Sequence, residues 1–187
     1  ATTVTMEAGA TIDASATQNG DGGKVVLWSD ITNADSVTTV DGTILAKAGA
    51  QSGDGGEIET SGYEINYDKA TINAGSKTGV GGLWLIDPNT AFNVMTQDNA
   101  NIIASSLNTG TSVTNLVTSG DITFWDGVSI SKTGGGNATL TLKTPNSIFM
   151  GTGSSIKSTS GELNIVLWSN SSSVGGRIEI GNTVQLS

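Results

Sequence analysis

The chain contains no cysteine and no histidine. The first absence excludes disulfide staples, thiolate metal sites and cysteine nucleophiles. The second excludes any nucleophilic triad built on imidazole. Charge is also scarce: Asp, Glu, Lys and Arg make up 13% of the residues, about half the share in ordinary soluble domains. Disorder is not the consequence, because disordered chains combine high charge with little apolar content and here 36% of residues are hydrophobic. Aromatics are few: Trp28, Trp84, Trp125, Trp168, Tyr63, Tyr67, Phe92, Phe124 and Phe149. No apolar run reaches the ~18 residues of a membrane-spanning helix, so no membrane insertion is expected.

The net charge is −9 and the eight Lys and Arg are scattered singly from Lys24 to Arg177. No basic stripe exists to neutralise phosphates, so nucleic acid is not an expected partner. An anionic membrane surface would repel the chain. Phosphate loops of the G-x-x-x-x-G-K-[ST] type and G-x-S-x-G elbows do not occur, and no cofactor is expected.

What is abundant is glycine, 26 of 187 residues, together with Ser, Thr and Asn. A polar, uncharged, Gly-rich and β-branched chain suits many short strands joined by tight turns. Low Lys and Glu with high Thr, Ser, Asn and Gly leans toward the extracellular side. The opening Ala1-Thr2-Thr3 reads as a mature or excised fragment whose targeting signal lies outside it.

One phrase recurs with variations, at residues 10–30, 42–62, 70–89, 128–146 and 154–170. Each copy has a short strand of the form x-I-x-A/K (Ser155-Ile156-Lys157-Ser158 in the last), a polar turn containing Gly, and a second strand of four to six residues. Ile12 to Ile44 spans 32 residues, Ile44 to Ile72 spans 28, and Ile130 to Ile156 spans 26. That drifting period suits coils of three short strands with turns of variable length, each hiding its apolar side against its neighbours. Alternation in Ala10-Thr11-Ile12-Asp13-Ala14 and in Thr139-Leu140-Thr141-Leu142-Lys143 puts one face inward. Runs such as Gly20-Asp21-Gly22-Gly23 and Gly53-Asp54-Gly55-Gly56 tolerate positive φ and are expected to form the coil corners.

One stretch breaks the pattern. Asp98 to Leu107, DNANIIASSL, is expected to form a helix of two to three turns, capped by Asp98 and ended by Gly110 as the C′ residue. Ile102, Ile103 and Leu107 share its apolar face, and it is expected to pack on the side of the coil. Residues 1–187 therefore read as a single all-β domain: a right-handed parallel β-helix, or solenoid, with one short helical excursion near 98–108 between coils 1–90 and 111–187. Six or seven coils at ~4.8 Å give a rod about 30 Å long.

The repeat phrases also resemble a known family. Gly20-Asp21-Gly22-Gly23-Lys24-Val25-Val26-Leu27-Trp28-Ser29-Asp30, Gly53-Asp54-Gly55-Gly56-Glu57-Ile58-Glu59-Thr60-Ser61-Gly62 and Gly81-Gly82-Leu83-Trp84-Leu85-Ile86-Asp87-Pro88 come in that order. Leu107-Asn108-Thr109-Gly110-Thr111-Ser112-Val113 and Gly120-Asp121-Ile122-Thr123 follow. Together these phrases, across most of residues 10–170, resemble the repeat region of filamentous haemagglutinin-type exoproteins, the large adhesins exported by bacterial two-partner secretion. The resemblance implies a right-handed parallel β-helix, an extracellular location, and a role in attachment or in carrying a distal effector. It resembles the shaft of such proteins rather than their N-terminal export domain, and it carries over no catalytic residue.

Candidate sites are few. The Asp–Gly turns at 20–23 and 53–56 invite calcium, but the calcium roll needs tandem nonapeptides, so turn chemistry is the expected role and no metal is assigned. Glu57 and Glu59, at i and i+2 on one strand, share a face roughly 7 Å apart, a spacing that two-carboxylate glycoside hydrolysis can use. Asp13 and Asp30 are further acids near strand ends. No partner base stands out, and a solvated strand face is the simpler reading. Trp28, Trp84, Trp125 and Trp168 are the candidate ligand contacts, because aromatic faces stack on sugars and proteins. Trp28 and Trp168 occupy the same place in a V-L-W-S phrase and Trp84 precedes Leu85-Ile86-Asp87; that repetition favours packing within the shaft, each indole capping the same edge of its coil, over ligand contact.

The function expected from this reading is non-enzymatic: a structural or adhesive segment of a secreted bacterial surface exoprotein. Its partners would be a glycan or protein on a host or neighbouring cell, and neighbouring coils of the same long chain or fibre. Two alternatives stand beside it, a polysaccharide-active β-helix enzyme and a self-assembling extracellular fibre subunit.

Overall fold

The computed structural model describes residues 1–170, 175–183 and 185–187. Its strands group by coil. Coil 1 holds β1 (Thr3–Met6), β2 (Thr11–Asp13) and β3 (Lys24–Trp28); coil 2 holds β4 (Val37–Val40), β5 (Thr43–Leu45) and β6 (Glu57–Gly62). Coil 3 holds β7 (Glu64–Asn66), β8 (Thr71–Asn73) and β9 (Leu83–Pro88). Coil 4 holds β10 (Phe92–Met95), α1 (Gln97–Leu107) and β11 (Ser112–Leu116). Coil 5 holds β12 (Asp121–Phe124), β13 (Ser129–Lys132) and β14 (Ala138–Lys143). Coil 6 holds β15 (Ile148–Met150), β16 (Ser155–Ser158) and β17 (Leu163–Trp168), and β18 (Ile178–Ile180) and β19 (Gln185–Leu186) begin a further coil.

Every strand pair described is parallel and joins a strand to its counterpart in an adjacent coil. This is a parallel β-solenoid of about six turns, as the repeats predict. Ile12, Ile44 and Ile72 lie in register, and so do Ile130, Ile156 and Leu186. The drifting period is thus absorbed entirely in the turns. One hydrophobic cluster runs from Met6 to Ile156.

Three faces result. The third is unbroken, with six strands in the order β3-β6-β9-β11-β14-β17. The first is interrupted: β1-β4-β7 and β10-β12-β15-β18 are separate sheets. The second is interrupted at the same coil, β2-β5-β8 giving way to β13-β16-β19. Both breaks fall at coil 4.

The helix is the cause of the second break. Two strand spacings are ~9.6 Å, close to the ~10 Å girth of an α-helix, so α1 fills the gap that one missing strand leaves between β8 and β13. It contacts both. The expectation that it packs on the side of the coil is corrected: it takes a strand's place within it. Ala100, Ile103, Ala104 and Leu107 are buried; the two alanines let the helix sit close to its neighbours. Ile102, expected on the same face, is only partly buried against the core.

The helix ends are also corrected. Thr96, not Asp98, is the N-cap: Asn99 N–H donates to Thr96 Oγ1 (3.2 Å) and Thr96 N–H donates to Asn99 Oδ1 (3.3 Å). At the other end Asn108 is the C-cap, and Gly110, at φ +84°, lies two residues beyond it.

The glycine pairs at the corners have a different reason from the one expected. Gly22, Gly55, Gly56, Gly81 and Gly82 are not in the positive-φ region, but a Cβ on any of them would overlap a backbone carbonyl of an adjacent coil. Positive φ is needed just upstream, at Gly20 (+117°) and Gly53 (+123°).

Candidate functional site

The outer surface of the six-stranded sheet is a regular grid, because side chains alternate along each strand and parallel pairing stacks like positions. Its middle column runs Val26, Glu59, Leu85, Thr114, Thr141, Val166. A second column begins Lys24, Glu57, Leu83, Ser112. A third begins Trp28, Ser61, Asp87 and ends Leu116, Lys143, Trp168.

Trp28 and Trp168 therefore do share a place, five strands apart at opposite ends of one outward column. They are 58% and 50% exposed, so neither indole is packed into the shaft. Lys143 Nζ lies 4.1 Å from the centroid of the Trp168 ring, a cation–π contact. Trp84 is a correction to the set of ligand contacts, because it is fully buried. It pairs with Ile58, and so with the Val25 position, three residues ahead of Trp28. An odd shift turns a side chain to the other face. Inside, its Nε1–H donates to Thr60 Oγ1 (3.1 Å), and Tyr67 meets it edge-on at 5.3 Å. Trp125, 59% exposed, stands at a different corner, beside Asp68, Gln97 and Asp126. The structure does not bring the four indoles together.

The acids are mostly engaged between coils. Glu57 accepts from Lys24 Nζ at 2.9 Å, and the same ammonium lies 3.8 Å from Glu59. Glu59 also accepts from Ser61 Oγ (2.9 Å). Asp54 N–H donates to Asp21 Oδ1 (2.8 Å), and Val80 N–H donates to Asp54 Oδ1 (2.8 Å). The Asp–Gly turns thus form a hydrogen-bonded ladder across three coils. Asp13 and Asp30 close turns on Ser15 and Thr32, whose hydroxyls first and backbone N–H groups second hold both carboxyls below the usual range. Among the described residues, no three acids cluster as a metal site.

Two groups escaped the sequence reading. Asp87, on the outer grid beside Glu59, has its carboxyl pushed up by burial and by the Glu59 charge. Lys132 is fully buried. Its Nζ donates to Gly134 O (2.8 Å) and to Ser160 O, tying the turns of two coils together, while burial pushes the ammonium down. Its parity with Ile130 is the signal that could have placed it inside.

No helix among the described residues is long and apolar enough to cross a membrane. Comparison with family models, with curated proteins and with solved structures finds no match to this chain in any of the three.

Proposed function

We propose that the chain is a structural and adhesive segment of an extracellular bacterial surface protein, of the filamentous haemagglutinin type that its repeat phrases resemble. It is a stiff rod whose polar flanks meet a glycan or protein on a host or neighbouring cell, or which spaces a distal domain from its own cell. One observation carries the reading: side chains suited to chemistry instead join coil to coil, in the Asp21–Asp54–Val80 ladder and the Lys24–Glu57 bridge. Length and stiffness are what such stitching produces. The test is adhesion. Beads coated with the folded chain are expected to bind cells or a glycan array saturably, while beads carrying heat-denatured chain do not; equal retention of both overturns the adhesive role. Protease treatment of intact producing cells is expected to remove the protein, and full protection overturns the surface location.

A second reading, polysaccharide hydrolysis, is favoured by Asp87 alone, with its raised pKa beside Glu59. Hydrolysis of any polysaccharide in a broad panel, abolished by Asp87→Asn, would replace the first reading with this one.

A further inference from the structure

Coil 4 breaks the first face as well as the second. β7 is the edge of one sheet and β10 the edge of the next, so two strand edges face each other without pairing. A cavity of about 420 Å³ opens between them, bordered by Glu64, Ile65, Tyr67, Ile86, Pro88 and Asn93. That is far more than a water occupies, and within the roughly 300–1,000 Å³ of small-molecule sites.

The interior beside this cavity is polar where it should be aliphatic. Asn93 stacks on Ile122, Ile148 and Ile178 in one column. Asn115 stacks between Ile86 and Leu142, with Leu167 beyond. Both asparagines fall in coil 4, and Asn115 Nδ2 donates to Asn93 Oδ1 at 3.3 Å. Asn115 is fully buried and its Oδ1 has no hydrogen-bond partner. Stacking alone gives no reason for an amide pair at this level, since an aliphatic residue would fill either column.

The chemistry around the cavity selects a ligand class. Asn93 Nδ2 is a donor, the Tyr67 hydroxyl both donates and accepts, and the Glu64 carboxylate accepts. No lysine or arginine borders it, which disfavours an anion, and one carboxylate is too few for a hard cation. Ile65, Ile86 and Pro88 supply an apolar wall. A ring with hydroxyls around its rim and C–H groups on its face meets all of these.

We propose that the seam between β7 and β10 binds a single neutral pyranose, free or at the end of a glycan, with Asn93, Tyr67 and Glu64 contacting its hydroxyls. The proposal goes beyond the adhesive reading and does not depend on it. The experiment is a titration of the full chain with glucose, galactose, mannose and N-acetylglucosamine, followed by calorimetry and by the NMR signals of Tyr67 and Trp84. At least one sugar is expected to bind saturably. Asn93→Ile and Tyr67→Phe are expected to weaken it tenfold or more, and Thr141→Ala, on the outer grid away from the seam, to leave it unchanged. The double variant Asn93→Ile/Asn115→Leu is expected to melt above the wild type while losing the sugar. Silence with every sugar, or full affinity in Asn93→Ile, overturns the proposal. So does a double variant that melts below the wild type, which would make the asparagine pair a structural device.

Discussion

At the scale of single residues, the solenoid converts small differences of position into large differences of consequence. A Cβ on Gly56 would overlap the carbonyl of Gly23, whereas one on Gly136 meets nothing within 4 Å. Gly56→Ala is therefore expected to cost about 3 kcal/mol or prevent folding, and Gly136→Ala to change stability by less than ~0.5 kcal/mol, both read by denaturant melts. Trp84→Ala removes a fully buried indole and the donor to Thr60, at a cost of about 3–5 kcal/mol. Trp168→Ala truncates an exposed ring and its cation–π contact with Lys143, and is expected to cost no more than ~1 kcal/mol. Tyr67 adds a pH dependence: burial, and then the Asp68 charge, hold its phenol well above the usual tyrosine range. The folded state thus keeps a proton that the unfolded state releases near pH ~10. That stability is complete below pH ~10 and declines above it; melts from pH 8 to 11 are expected to show the decline, reduced in Tyr67→Phe.

These residues also mark how far the sequence could be read. Ile12, Ile44 and Ile72 were legible as one column because the period-two pattern around each is the same. Trp84 was not, because matching phrases by their tryptophans hides the three-residue offset that register imposes. The glycine pairs were located at the corners but explained by φ, since the crowding they relieve comes from residues about 30 positions away. Lys132 was overlooked because lysine suggests solvent, although its parity with Ile130 pointed inward.

At the scale of elements, coil 4 shows why local signals place a helix without revealing its role. The apolar spacing of Ile103 and Leu107 was readable. The cap was not, because Thr96 pairs with Asn99 rather than with the Glu or Gln of the usual capping box. That the helix replaces a strand depends on the match between its girth and two coil spacings, a tertiary quantity. Thr96→Ala is expected to cost about 1 kcal/mol. Hydrogen exchange is expected to quicken first in 97–100; a loss spread evenly over all six coils would contradict the capping role. The seam between β7 and β10, and the asparagines beside it, belong to this same irregular coil and had no sequence signal.

At the scale of the whole molecule, the claim is that successive coils stack in register and that this stacking makes the rod. The absence of cysteine makes it directly measurable. Spin labels on cysteines introduced at Val26 and Thr141, and at Val26 and Val166, sit in the middle column of the outer grid, four and five strands apart. Electron–electron resonance is expected to give separations near 19 and 24 Å plus the label arms, the second longer by one spacing of ~4.8 Å. Equal separations, or a shorter one for the Val166 pair, would mean that the coils do not stack, and the rod would have to be abandoned.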